Sequence, residues 1–337
     1  MFIFYQRKWY RALILKTNFL YKHALALFIY TSMDFPIPLQ NPILLAPMAG
    51  YTDSPFRCIA RSLGAGMVFT ELISADGIVR QNKKTLDLLT FTPHERPLGI
   101  QIFGNDPNIM QEAACRLLSL KPDCIDINCG CCAPKVCNNG KGAGLLKDVE
   151  LLYRVVSAVV SSVPVPVSAK IRLGFTQGTK NYCEVVDALK QAGVAFITVH
   201  GRTRDQYYSG KADWEAITQI ASSANVPIVG NGDIYSYDDA MEKLKSSGCA
   251  AVMIGRAALG NPWIFCGKTP SLQEKRDMVV LHYKLMIEHY GTYGVILMRK
   301  HIVHYCKGFP GASKLRQELI KCHHIEEIFK ILDLQFL

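Results

Sequence analysis

Several kinds of protein are excluded by what this 337-residue chain lacks. Its apolar stretch Ala24-Leu25-Ala26-Leu27-Phe28-Ile29-Tyr30 falls well short of the about 20 residues that cross a bilayer. No small-x-small cleavage site follows that stretch, as a secretory signal would require. The G-x-G-x-x-G turn of dinucleotide-binding folds is absent. The 12 cysteines do not form the two separated ligand pairs of a structural zinc site. They sit in apolar runs and one tight cluster, as reduced thiols do, so the expected compartment is the cytoplasm without stable membrane association. Acidic residues are missing from positions 1–33, which carry five Lys/Arg. That arm is expected to lie outside the fold, as an interfacial or disordered segment or as an upstream start with Met33 the working initiator.

What is present is a rhythm of short apolar runs. Eight occur: Ile43-Ala46, Met67-Thr70, Leu98-Phe103, Cys124-Asn128, Val167-Leu173, Phe196-His200, Pro227-Asn231 and Ala251-Gly255. Gly, Pro, Asn or Asp bounds each run, and most are separated by stretches of helical periodicity. Strands alternating with helices imply a parallel sheet, and eight such units imply closure into a (β/α)8 TIM barrel. About 250 residues suffice for that barrel, here placed over 34–266. After the linker Gly267-Lys268-Thr269-Pro270-Ser271, residues 267–337 carry no strand signal and no internal repeat, and are expected to form a small all-α domain. Met278, Val279, His282, Leu285, Met286 and His289 recur at helical intervals. A second helix is expected over Val295-Cys306, a third capped by Ser313, and a last over Ile325-Leu334.

The net charge of +10 is uneven. Residues 34–267 hold 22 basic and 21 acidic residues, whereas 268–337 hold 11 basic and seven acidic, with six of the nine histidines. A near-neutral barrel beside a basic tail assigns any polyanion to the tail, although an ordinary solvated surface has the same balance.

In such barrels the reacting groups follow the carboxyl ends of the strands. Pro47-Met48-Ala49-Gly50 turns sharply there, leaving main-chain atoms on which a flat ring could lie. Ser54 reads as an N-cap with Pro55 in the first helical turn. Gln101 and Lys170 lie within strands and point into the barrel or toward its rim. A lysine inside Val167-Ser168-Ala169-Lys170-Ile171 needs an anionic or electron-rich partner. The N1/O2 edge of a reduced flavin is one such partner and a structural carboxylate is another. Cys131, just past Gly130, is presented on a tight loop; a neutral thiol can act as a general acid. Zinc ligation by Cys129, Cys131, Cys132 and Cys137, or mere packing, is the alternative. Asn231-Gly232-Asp233 and Gly255-Arg256 follow the last two strands, where backbone N–H groups commonly hold a phosphate.

Taken together, Ala46-Pro47-Met48-Ala49-Gly50-Tyr51-Thr52-Asp53, Asp126 to Cys131, Lys170-Ile171-Arg172, His200-Gly201-Arg202-Thr203-Arg204, Asn231-Gly232-Asp233-Ile234, Gly255-Arg256-Ala257 and Met298-Arg299-Lys300-His301 resemble the tRNA-dihydrouridine synthases, and among them the bacterial B-type branch. The resemblance covers about residues 39–312. It implies an FMN enzyme that takes hydride from NADPH and saturates the C5–C6 bond of chosen uridines in tRNA. It implies flavin contacts from Pro47, Met48 and Ala49, a hydrogen bond from Gln101, and Lys170 against the reduced ring with His200 beside it. Asn231, Gly232, Asp233, Gly255 and Arg256 would hold ribityl and phosphate. Cys131 would protonate uracil C5, with Asn128 fixing the uracil edge. Cys132 departs from the family pattern, which has Pro directly after the catalytic Cys; here the proline comes later, at Pro134.

A flipped uridine requires a protein that grips folded RNA by shape and phosphate contacts. Lys300, His304 and Lys307, with Arg299 and Arg316 nearby, form the expected RNA stripe on the second tail helix. No metal is expected, and the chain is expected to act as a monomer. Two other functions are compatible with these residues: an FMN barrel reducing a free pyrimidine or small enone, and a barrel that binds RNA or phosphate without chemistry. The sequence does not choose between NADPH and NADH, since the donor would visit transiently.

Overall fold

The structure, a computed structural model, describes residues 35–335; the N-terminal arm expected over 1–33 lies outside the described residues. All eight apolar runs form strands: β1 (Ile43–Leu45), β2 (Val68–Phe69), β4 (Leu98–Phe103), β5 (Cys124–Cys129), β6 (Val167–Arg172), β7 (Phe196–His200), β8 (Ile228–Asn231) and β9 (Ala251–Ile254). A further strand, β3 (Ile73–Ser74), was not expected. It continues the second barrel position after Thr70-Glu71-Leu72 interrupts the run, and it pairs with the far end of β4, Ile73 opposite Ile102. Every pairing is parallel, in the order β1-β9-β8-β7-β6-β5-β4-β2. Backbone bonds from Gly66 N to Ile43 O (2.8 Å) and from Leu45 N to Met67 O (3.0 Å) join β1 to the second position and close the ring.

Strand parity explains the two faces. Ile125, Ile127 and Cys129 of β5, Val167, Ala169 and Ile171 of β6, and Ile197 and Val199 of β7 pack outward against the surrounding helices. The alternate residues point into the barrel, as a period of two demands. The lower interior is apolar: Leu44, Met67, Phe69, Cys124, Phe196, Val229, Ala251 and Met253 form one cluster, plugged by Phe35, Ile37 and Leu39. The Phe35 and Phe196 rings lie 4.8 Å apart. The upper interior is polar.

The first barrel helix, α1 (Ser54–Ser62), starts one residue earlier than expected. Asp53, not Ser54, is its N-cap, accepting from Phe56 N at 3.1 Å. Ser54 is instead turned to Glu95, donating from Oγ at 2.6 Å. Glu95 is fully buried and also accepts from Arg57 Nε at 2.5 Å and from Thr92 N at 2.7 Å. Removing one member of a buried pair strands the other's charge at a cost of about 3–5 kcal/mol. Glu95→Ala should therefore lower the urea midpoint by that equivalent, whereas Glu112→Ala, which breaks the exposed pair with Arg116, should cost about 1 kcal/mol or less.

The tail is helical throughout its described residues: α2 (Leu272–Tyr290), α3 (Gly294–Leu297), α4 (Arg299–Tyr305), α5 (Ala312–Leu319) and α6 (Ile325–Gln335). Ser271 and Glu274 form a capping box at the start of α2. The expected helix Val295-Cys306 is divided at Met298, because His301 N bonds back only three residues, to Met298 O at 2.9 Å. Gly311, in the left-handed region, caps α5 in place of the expected Ser313. Val279, Tyr283, Met286, Met298, Ile302, Leu315, Leu319 and Ile328 give this tail a core of its own.

Candidate active site

Strand register assembles the polar end of the barrel. Gln101 stands opposite Asp126, and Asp126 opposite Ser168; Asn128 stands opposite Lys170; Arg172 stands opposite His200, and His200 opposite Asn231. All of these share inward parity, and they climb the barrel interior in successive levels, Ser168, Lys170 and Arg172 along one strand. Gln101 donates to Asp126 Oδ2 at 2.6 Å and accepts from Asn128 Nδ2 at 2.9 Å. Ser168 Oγ donates to Asp126 Oδ1 at 2.6 Å. Burial holds the Asp126 carboxyl above its usual range despite those donors. Asn128 Oδ1 in turn accepts from Cys131 N at 2.8 Å, which folds the loop after β5 back over the strand end.

Lys170 donates to Asn231 Oδ1 at 2.9 Å, and Asn231 Nδ2 donates to Met253 O at 2.7 Å, so both amide groups of that side chain are used. Burial, with Arg172 nearby, pushes the Lys170 ammonium down to about 8. Burial and the surrounding cations Lys170, Arg172, Arg202 and Arg256 hold His200 well below its usual value, as a neutral imidazole at neutral pH. The mouth of the barrel thus gathers four cations, Lys170, Arg172, Arg202 and Arg256, around a neutral His200.

The Cys131 loop is pinned from several sides. Cys131 O accepts from Ala143 N (3.0 Å) and from the Cys137 thiol (2.7 Å). Arg172 Nε donates to Gly130 O at 3.0 Å, and its Nη2 reaches Cys132 Sγ at 3.8 Å. Cys132 is buried against that guanidinium, whereas Cys131 is half-buried, so the two adjacent thiols occupy different environments. Burial raises the Cys131 thiol above its ordinary value.

Beyond β7, β8 and β9 the expected phosphate corner is built around an ion pair. Arg202 donates to both Asp233 oxygens (2.8 and 2.7 Å), and Ala212 N and Tyr235 OH donate to the same carboxylate. Arg256 Nη2 stands 3.9 Å from Asp233 Oδ1 with its side chain about half exposed. Gly232 has φ +122°, and a Cβ there would lie 2.8 Å from the Ala212 Cβ and 2.9 Å from His200 Cδ2. Glycine is what lets this turn close against His200. The loop after β1 meets the corner, since a Cβ on Gly255 would lie 3.6 Å from Met48 Sδ and from the Ala46 Cβ. Met48 therefore adjoins Gly255, with Pro47 and Ala49 as its neighbours in the chain.

Two residues at this mouth were not singled out from the sequence. Arg172 clamps the Cys131 loop and could have been found by its inward parity with Lys170. Tyr208 is 53% exposed, with its ring under Arg256 at 4.5 Å and Arg172 at 5.6 Å; only its place beside Tyr207 in a polar loop hinted at it.

The tail residues go elsewhere. Lys300 Nζ lies 3.0 Å from Asp53 Oδ2 and is mostly buried in that contact. Arg299 donates to Cys322 O at 3.2 Å. His304 and Lys307 stay together, 3.3 Å apart, with Lys307 exposed beyond the end of α4. Of the expected stripe, then, Lys307 faces outward, Lys300 faces the barrel, and half-buried His304 lies between them with its ring against Tyr51.

With this geometry in place, the family model described as "Dihydrouridine synthase (Dus)" matches residues 44–336. The chain belongs to the dihydrouridine synthase family. It is an oxidoreductase. Among relatives, it is 39% identical over 295 residues to a protein of Pseudomonas aeruginosa named tRNA-dihydrouridine synthase B, covering 84% of this chain and 89% of that one. It is 36% identical over 293 residues to a probable tRNA-dihydrouridine synthase of Rickettsia conorii, covering 83% and 88%. Among solved structures, histamine dehydrogenase from Rhizobium sp. 4-9 superposes with a TM-score of 0.55 at 14% identity, covering 76% of this chain and 51% of that one. The amine oxidase for 6-hydroxypseudooxynicotine from Pseudomonas geniculata N1 superposes at 0.56 with 13% identity, covering 70% and 48%. At these identities the likeness shows the barrel fold and nothing finer.

Proposed function

We propose that this enzyme reduces the C5–C6 bond of selected uridines in tRNA, with FMN as resident cofactor and NADPH as a visiting donor. The observation that carries the reading is Lys170, half-buried within the barrel mouth. Asn231 is its hydrogen-bonding acceptor, and among the described residues no carboxylate lies within ion-pairing distance of it, the Asp126 charge acting only from farther away. An ammonium so placed, partly withdrawn from water, calls for an electron-rich ligand, and the adjoining donors of Gln101, His200 and Arg256 suit a flavin with its phosphate. Bound there, reduced FMN supplies the hydride for uracil C6.

The chain's own residues do the rest. Pro47, Met48, Ala49, Gly232, Gly255 and Arg256 shape the cofactor bed. Asp233, whose carboxylate is engaged by Arg202, acts by fixing that corner and through its backbone. Asn128 orients the uracil edge and the Cys131 loop together. The Cys131 thiol, kept protonated, delivers its proton to C5, so hydride and proton together account for the two hydrogens gained. Tyr208 offers a stacking face for a base drawn out of the RNA, and Arg299, His304 and Lys307 place the helical tail, residues 267–337, against the tRNA backbone.

A thiol acid loses activity only when it ionises. Burial raises the Cys131 pKa, so turnover should stay level through neutral pH and decline above the ordinary thiol value of about 8.5. A decline that begins on the acid side of neutrality would remove Cys131 from the acid role. The whole reading is tested by mapping dihydrouridine in tRNA from a strain lacking this gene. Loss at one or a few positions, restored by the intact gene, is expected; an unchanged map overturns it.

A further inference from the structure

The loop Pro47–Asp53 forms the cofactor bed on the barrel side, yet much of what holds it comes from the tail. Within the loop, Tyr51 N (2.9 Å) and Thr52 N (3.0 Å) both donate to Met48 O. Thr52 Oγ1 accepts from Met48 N at 3.0 Å. Gly50 N donates to the Glu71 carboxylate, and Arg57 Nη1 donates to Thr52 O at 2.6 Å. The loop ends on Asp53, which is 3% exposed. Its carboxylate accepts from Phe56 N through one oxygen, and meets Lys300 Nζ (3.0 Å) and His301 Nε2 (3.4 Å) through the other. Burial alone would raise this carboxyl; the His301 hydrogen bond and the His301 and Lys300 charges hold it below the usual carboxylate range.

Ring contacts repeat the connection. Tyr51 packs edge-on against His301 (5.8 Å) and His304 (5.6 Å), while Phe56 lies 5.4 Å from His301. Just beyond β9, Gly260 sits so close to α4 that a Cβ would lie 2.3 Å from the His304 carbonyl. Asp53, His282 and His301 also bring three possible metal-ligand atoms within 4.8 Å of one another. The Lys300 ammonium already compensates Asp53, which makes the cluster a contact between barrel and tail.

We propose that Lys300 and His301 are positioning residues for the flavin: by holding Asp53 they fix the Met48–Thr52 turn, so that the tail completes the cofactor bed. This rests on the FMN reading above and adds to it, since a tail that served only to grip RNA would leave cofactor affinity unchanged when its barrel contact is cut. The physical reason is lever-like. Losing Lys300 leaves a buried, underpaired carboxylate, and the cheapest relief is for Asp53 to swing toward water. That motion would carry the Met48 backbone with it.

The experiment is an FMN titration of the full-length protein, followed by flavin fluorescence quenching and the visible absorption of the bound flavin. Lys300→Met and His301→Ala should weaken FMN by about 10- to 100-fold, the range over which a misplaced supporting group acts, and should shift the bound-flavin spectrum. Lys300→Arg should recover most of the affinity. Arg276→Ala, which cuts a tail-internal pair with Asp333, should leave it unchanged. Hydrogen exchange at the Tyr51 and Thr52 amides reads the same loop without flavin and should accelerate in the two damaging variants only. Unchanged affinity and unchanged exchange in folded Lys300→Met overturn the proposal, as does an equal loss in Arg276→Ala. Wild-type protein that takes up no FMN would instead overturn the cofactor reading, with the exchange result still deciding whether Lys300 and His301 hold the loop.

Discussion

Cys131→Ala should remove dihydrouridine formation while leaving the protein able to bind FMN and accept electrons from NADPH. Proton delivery by a placed acid contributes about 10²–10⁴-fold, and the variant keeps the loop intact, because three of the bonds that shape it run through the Cys131 backbone, the sulfur meeting only the Ala133 amide. Cys132→Ala is the informative partner. Its thiol is buried against Arg172, whereas that of Cys131 is the more exposed, so activity should drop far less. Comparable losses in the two would mean that the acid has been assigned to the wrong thiol. The measurement is single-turnover reduction of a tRNA transcript, with dihydrouridine read by mass spectrometry.

Lys170→Met should act one step earlier, on the cofactor. A hydrogen bond from a charged donor is worth about 1.5–3 kcal/mol, so FMN should bind roughly 10- to 150-fold more weakly. The sign of the pH dependence follows from the pKa. Burial depresses the ammonium to about 8, so it is charged below that pH and neutral above it. An anionic ligand prefers the charged form, and its dissociation constant should be level at neutral pH and climb above about pH 8, by at most tenfold per unit. Lys170→Met should abolish that climb. A climb that persists in the variant would assign the titration to another group.

The eight strands could be read from the sequence because each is a short, buried, β-branched run cut off by Gly, Pro, Asn or Asp, and a closed parallel barrel leaves such runs little else to do. The inward placement of Gln101 and Lys170 followed from their positions inside those strands. What sequence could not supply was pairing across the chain. The Arg57–Glu95 pair spans 38 positions, and the Asp53–His301 contact 248; nothing local announces either. Lys300 looked like one of an RNA-facing basic stripe because helical spacing puts it near His304, but spacing does not say which face meets the barrel. Ser54 competed with Asp53 for the cap, and the decision was made by a remote partner, since Glu95 takes the serine hydroxyl. The break at Met298 has the same origin in packing: His301 is drawn toward Asp53, and the helix tightens to a three-residue bond at that point.

Anaerobic reoxidation puts the account under the most direct test. The FMN-loaded protein is reduced, freed of donor and oxygen, and mixed with unmodified tRNA. The site described here predicts that tRNA returns the flavin to its oxidised form, with one dihydrouridine appearing per flavin, and that free uridine at the same concentration does so far more slowly. Flavin that stays reduced in the presence of tRNA, or that free uridine reoxidises just as fast, would contradict it.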